Sequence, residues 1–192
     1  MIINGIDNQT VELEITNYQF PDIIEGGWDG NWLNIYLEVK SKDGHWQTID
    51  PSLTTWEVQW LIDWFNTLAK STRPESKFSR FTEPNLSFEL LSDFDADKKT
   101  IRIQFDLESK PHPDVAGKEY FVDVVADSAE LKRIAEDLKK ELDKYPERKP
   151  SQNIDDPQKS PVPREVDAWD SFEPGQGPDT VPKGYKIISE PH

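Results

Sequence analysis

The sequence contains no cysteine. This removes disulfide scaffolds, Cys-ligated zinc or iron–sulfur sites and thiol nucleophiles together, and it suits a reducing compartment. Positive charge is scarce as well: 22 Lys and Arg stand against 37 Asp and Glu, a net −15 at pH 7. A protein that neutralises phosphates needs a concentrated basic face. This chain would instead repel nucleic acid and anionic membranes and attract basic partners. Long apolar runs are also missing. The longest span three residues, such as Ile35-Tyr36-Leu37, where a bilayer crossing needs roughly 20. No basic residue precedes Lys40, and polar side chains interrupt residues 1–20, unlike a secretory leader with its basic start and apolar stretch. The expectation is a cytoplasmic protein with neither nucleic acid nor membrane as its partner.

Catalytic groups are thin too. Of the three histidines, His45 sits beside a turn, His112 lies between two prolines and His192 is the last residue. None has a partner fixed by local spacing, and no two carboxylates are singled out by an apolar setting that would split their pKa values. Asp93-Phe94-Asp95-Ala96-Asp97 begins like a calcium loop, but the sixth position is Lys98 instead of Gly and the twelfth is Gln104 instead of Glu. A polar hairpin turn accounts for it better. Glu25-Gly26-Gly27-Trp28-Asp29-Gly30 is glycine-rich without the Lys-Ser/Thr of a phosphate loop, and reads as a flexible surface loop. The expectation is therefore a protein that is not an enzyme, with no catalytic residues, no metal site and no cofactor.

What the chain does have is a sharp change of composition. The 47 residues after Tyr145 hold nine of its 15 prolines, and such a segment cannot form a core. The reading is a globular unit over residues 1–145 and an acidic, Pro-rich, disordered tail over 146–192, with a short patch at 183–189 that can order. The tail carries Trp169, Phe172 and Tyr185, which suit either a solvating linker or a segment that folds on a partner. A 145-residue unit can bury roughly 68–70% of its unfolded surface, enough for one core.

Inside that unit the apolar period is mostly two. Leu33, Ile35, Leu37 and Val39 alternate with Trp32, Asn34, Tyr36 and Glu38, and Ile101, Ile103, Phe105 and Leu107 alternate with Arg102, Gln104, Asp106 and Glu108. Each pattern is a strand with one buried and one wet face, as in an antiparallel sheet. Further strands are expected near 11–18, 45–49, 77–82, 86–91 and 119–125, with hairpin turns at Asp43-Gly44 and across 93–99. Two segments switch to the helical period. Thr54-Thr55-Trp56-Glu57 forms a capping box that starts a helix running to about Ala69, and Asp127-Ser128-Ala129-Glu130 repeats the signal ahead of Leu131, Ile134, Ala135, Leu138 and Leu142. Tyr145-Pro146 stops that second helix. Three strands, a helix, four strands and a helix, with no strand–helix–strand rhythm, define the α+β class: an antiparallel β-sheet with two helices on one face, followed by a disordered tail.

Aromatic residues are concentrated. Six of the seven tryptophans fall between residues 28 and 64, and the first helix carries Trp56, Trp60 and Trp64 beside a separate line of Leu61, Phe65 and Leu68. One line can face the sheet; the other lies at its flank, where an indole N–H needs a partner or an interface. On the strand at 33–39, Trp32 and Tyr36 share the face opposite Leu33, Ile35 and Leu37, together with Asn34 and Glu38 and close to Trp28 and Asp29. Aromatics rimmed by carboxylates suit a basic protein partner. Trp28, Asp29, Trp32, Asn34, Tyr36 and Glu38 are therefore the candidate partner-binding residues, unless the second helix or an N-terminal strand covers them.

Several words of the sequence carry a family likeness. Val11-Glu12-Leu13-Glu14-Ile15, Tyr18-Gln19-Phe20-Pro21, Trp28-Asp29 with Asn31-Trp32-Leu33-Asn34-Ile35, and the run from His45 through Pro51-Ser52-Leu53-Thr54-Thr55-Trp56-Glu57 resemble the WapI family of bacterial immunity proteins. The likeness is strongest over 8–70, continues more loosely to about 145 and leaves the tail outside. It implies a non-catalytic inhibitor that protects a Gram-positive cell by binding, in the cytosol, the C-terminal domain of a contact-dependent, wall-associated polymorphic toxin, often an RNase or tRNase. The partner would be a basic toxin domain, held by a monomer in a 1:1 complex. The alternative is an acidic regulatory or nucleic-acid-mimicking module that docks on a basic cellular protein.

Overall fold

In the computed structural model, which describes residues 1–150 except for the Arg80 side chain, the alternating segments assemble into two four-stranded antiparallel sheets. The single sheet expected from the sequence is thus corrected to two, within the same α+β class. The first is a meander of β1 (Ile2–Asn4), β2 (Thr10–Tyr18), β3 (Trp32–Ser41) and β4 (Gly44–Thr54), with a one-turn helix α1 (Trp28–Asn31) before β3. Helix α2 (Thr55–Ala69) follows without a linker. The second meander, β5 (Phe78–Arg80), β6 (Leu86–Leu90), β7 (Lys98–Phe105) and β8 (Tyr120–Asp127), runs straight into α3 (Ser128–Lys144). Four strands and a helix therefore occur twice. Trp169, Phe172, Tyr185 and the patch at 183–189 lie outside the described residues.

Both long helices start as their sequences dictate. Thr54 accepts from the Glu57 N–H at 3.3 Å while Glu57 Oε2 accepts from the Thr54 N–H at 2.8 Å, a closed capping box. Asp127 accepts from the Glu130 N–H at 2.9 Å, but the Glu130 carboxylate turns instead to Arg133 at 2.6 Å. Their inner faces meet both sheets in one core. Val58, Leu61, Phe65 and Leu68 of α2, Leu131, Ile134 and Leu138 of α3 and the inward residues of β2, β3, β6, β7 and β8 belong to the same buried cluster. Each such side chain contributes roughly 1.5–3 kcal/mol by burial. Trp46 joins the sheets, its ring 5.6 Å from Phe105 and 6.0 Å from Tyr120, with its indole N–H on the Ser109 carbonyl at 2.9 Å.

Three local expectations change. Strand β4 continues to Thr54 through Pro51 instead of stopping near residue 49, because Pro51 stands opposite Asn34 where the register shifts between Leu33 and Asn34; a bulge tolerates a residue with no N–H to give. The Gly-rich loop at 25–30 is not simply a flexible surface loop. It ends in α1, where Gly30 and Asn31 are buried. Residues 146–149, expected in the tail, are bonded to the domain: Tyr18 donates its phenol O–H to the Pro146 carbonyl, and Gly26 donates its N–H to the Lys149 carbonyl. Among the described residues no helix is long and apolar enough to cross a membrane.

Candidate protein-binding surface

The six candidate residues fall into two places. Asn34, Tyr36 and Glu38 lie along the outer face of β3, opposite Pro51, Ile49 and Gln47 of β4, with Glu14 and Glu12 of β2 facing Tyr36 and Glu38. This face is open: the helices pack on the other side, β1 pairs edge-on with β2, and Ile49 is 64% exposed. Neither proposed cover lies over it. The Glu38 carboxylate on it is already engaged, however. Glu38 receives Lys40 at 2.8 Å, His45 at 2.9 Å, Tyr36 at 3.0 Å and Gln47 at 3.1 Å. The hydrogen bonds from Lys40, Tyr36 and His45 hold the Glu38 carboxyl down at about 2. Burial, followed by donation to Glu38 and the charges of Glu38, Glu12 and Glu14, pushes the Tyr36 phenol up.

Trp28 and Asp29 of α1 and Trp32, the first residue of β3, face a different environment. Trp28 is 52% exposed, packs edge-on against Trp56 of α2 at 5.0 Å and tilts over Trp32 at 6.5 Å. Beside them is an open cleft of about 440 Å³, lined by Gln19, Phe20, Asp29, Trp32, Asp50, Pro51, Glu83 and Glu108. Four carboxylates share it. Among the described side chains no Lys, Arg or His pairs with Asp29, Asp50, Glu83 or Glu108 within ion-pair distance. Burial and the nearby Glu108 charge raise the Asp50 pKa against the opposing hydrogen bond from Asn85, which donates at 2.8 Å. No group of three or more carboxylate or imidazole side chains among the described residues is placed to hold a metal ion.

The cleft walls are held from behind. Glu57 uses its second oxygen on the Thr82 N–H at 2.7 Å and the Thr82 hydroxyl at 2.8 Å, which fixes the approach to Glu83. Arg148 holds the other side: its guanidinium lies 3.5 Å over the Tyr18 ring and donates to the carbonyls of Phe20 at 2.9 Å and Pro21 at 3.1 Å and to that of Ile23. Its N–H donates to Asn31 Oδ1 at 2.8 Å, while Asn31 Nδ2 returns to the Arg148 carbonyl at 2.9 Å. The loop so held turns Phe20, Ile23 and Ile24 outward, Ile24 at 80% exposure.

Sequence reasoning missed Phe20, Asp50, Glu83, Glu108 and Arg148. Phe20 and Asp50 sit inside the words that carry the family likeness, and Glu83-Pro84 and Asp106 to Ser109 have turn composition, but no spacing joins four positions spread over 80 residues. The Glu38–His45 pair was similarly hidden, although it is set by the register that places His45 opposite Lys40.

The surface thus combines one exposed indole, Trp28, with the half-buried Trp32, the outward Phe20, Ile23 and Ile24 and a set of carboxylates. The family model that matches is the WapI-like immunity protein family, over residues 1–146. The chain belongs to that family. Among curated proteins and among solved structures nothing matches. Membership assigns an immunity role with a toxin protein as the partner and accords with inhibition by binding instead of catalysis.

Proposed function

We propose that this protein is a cytosolic immunity protein that neutralises one cognate contact-dependent toxin of the RNase class by forming a 1:1 complex with its C-terminal domain. The observation that carries the reading is the family match over residues 1–146, which spans both sheets and both long helices. The net charge of −15 supports it, since an RNase presents a basic groove and opposite potentials steer encounter. Inhibition then needs only occlusion: a bound acidic surface excludes the RNA backbone from the groove it covers.

Co-expression with the toxin domain encoded immediately upstream tests this. Cells carrying both are expected to survive, and the two chains are expected to co-purify in equal amounts. Cell death with an active toxin and an intact, expressed immunity chain would reject the proposal.

A further inference from the structure

We propose that the toxin docks on the rim formed by Phe20, Ile24 and Trp28, with an arginine side chain of the toxin entering the cleft at Trp32, and not on the open face of the first sheet. This deepens the immunity reading and rests on it. Three observations converge.

The first is apolar exposure without internal purpose. Phe20, Ile23, Ile24 and Trp28 are all exposed within nine residues of chain, and Leu107 projects beside Glu108 with a positive φ of 44°. Scattered exposed hydrophobics are ordinary, but a group of them held in place by the Arg148 hydrogen bonds is a preformed contact surface.

The second is charge. The cleft beside that rim holds Asp29, Asp50, Glu83 and Glu108, with Asp22 and Glu25 on the loop itself. Carboxylates gathered this way repel one another, and the repulsion is relieved when a cation arrives from outside. On the open face the corresponding acid, Glu38, already has Lys40 and His45. Among the described side chains, Glu38 is thus matched from within the molecule, although Glu12 and Glu14 of the same face are in no ion pair, and none of the four cleft carboxylates is matched.

The third is the shape of the ligand that fits. The carboxylates are spread around a cleft of about 440 Å³ instead of converging on a point, and the aromatic groups of Trp32 and Phe20 line the same space. A guanidinium suits such walls because it stacks on a ring with its face and donates from its edge to several carboxylates. The indole N–H groups of Trp28 and Trp32 have no partner among the described residues, whereas those of Trp46 and Trp64 are bonded to the Ser109 and Ser76 carbonyls at 2.9 and 3.0 Å. Buried under a partner, a free indole N–H gains an acceptor.

The test measures affinity of the full chain for the purified toxin domain by calorimetry. Asp29→Lys with Glu83→Lys, and Trp28→Ala alone, are compared with Glu12→Lys and Ile49→Ala on the open face. The cleft variants are expected to lose at least about 100-fold in affinity and the open-face variants to stay within about threefold. In the wild type, the Trp28 and Trp32 indole ¹H–¹⁵N signals are expected to shift on titration with toxin and those of Trp46 and Trp64 to stay, a readout that needs no variant to fold. Tight wild-type binding with unchanged cleft variants and unmoved Trp28 and Trp32 signals would overturn the docking surface and leave the immunity reading intact. Absence of wild-type binding to an active toxin would overturn both.

Discussion

Glu38 shows how a single side chain can be taken out of play by its own neighbours. Its carboxyl is held from an ordinary 4.5 down to about 2, first by Lys40 and then by Tyr36 and His45. A carboxyl depressed in the folded state stabilises the fold above its unfolded pKa and loses that contribution as pH falls through its folded value. Glu38→Gln is therefore expected to lower stability above about pH 4.5, with the difference from wild type shrinking toward pH 2; urea midpoints measured over that range check it. Asp50 runs the other way. Burial raises its pKa, so the fold disfavours its ionised form, and a cation docked in the proposed cleft would favour it. Strand alternation places Glu38 on a wet face correctly, but it cannot say that Lys40 and His45 already pair with it. That distinction depends on register, and register is a property of two strands.

At the scale of elements, what could be read from the sequence was what is encoded locally. The start of α2 was legible because Thr54 and Glu57 are three residues apart and satisfy each other, and β3 and β7 were legible because eight or more residues alternate without interruption. Strand β1 was not, since three residues carry no period and its existence depends on pairing Ile3 with Val11. Helix α1 was hidden behind glycines that serve packing as much as flexibility. Gly30 is buried, and a Cβ there would run into the Glu25 carbonyl oxygen. Gly30→Ala is expected to cost about 1–3 kcal/mol by forcing that turn apart, seen as a lower thermal midpoint with the α2 and α3 helical signal retained below it. The division into two sheets was invisible for a different reason. Nothing in the local pattern states that β4 and β5 do not pair, and the intervening α2 fits either arrangement. The cleft inherits that blindness, because its carboxylates come from α1, β4 and the connections after β5 and β7.

For the molecule as a whole, the end of the described chain returns to its beginning. Arg148 reaches carbonyls at residues 20, 21 and 23, about 125 positions earlier in the chain, and it does so two residues beyond the family-matched span. Arg148→Met in the full chain keeps the side-chain length and removes the donors. Amide hydrogen exchange over residues 20–28 is expected to speed up about tenfold, the equivalent of ~1.4 kcal/mol in local opening, while the strands of the second sheet exchange as before. Unchanged exchange in that loop would show that its backbone is held by other contacts.

The placement of the cleft residues has an evolutionary consequence. Asp29, Glu83 and Glu108 project from a one-turn helix and two connections, outside the cluster of buried residues that the sheets and helices share. On the proposed docking surface, substitutions at those three positions change what a partner meets without removing a core contact, so recognition can drift while stability stays constant. An immunity gene confronting a succession of related toxins could rewrite its rim one side chain at a time on an unchanged scaffold.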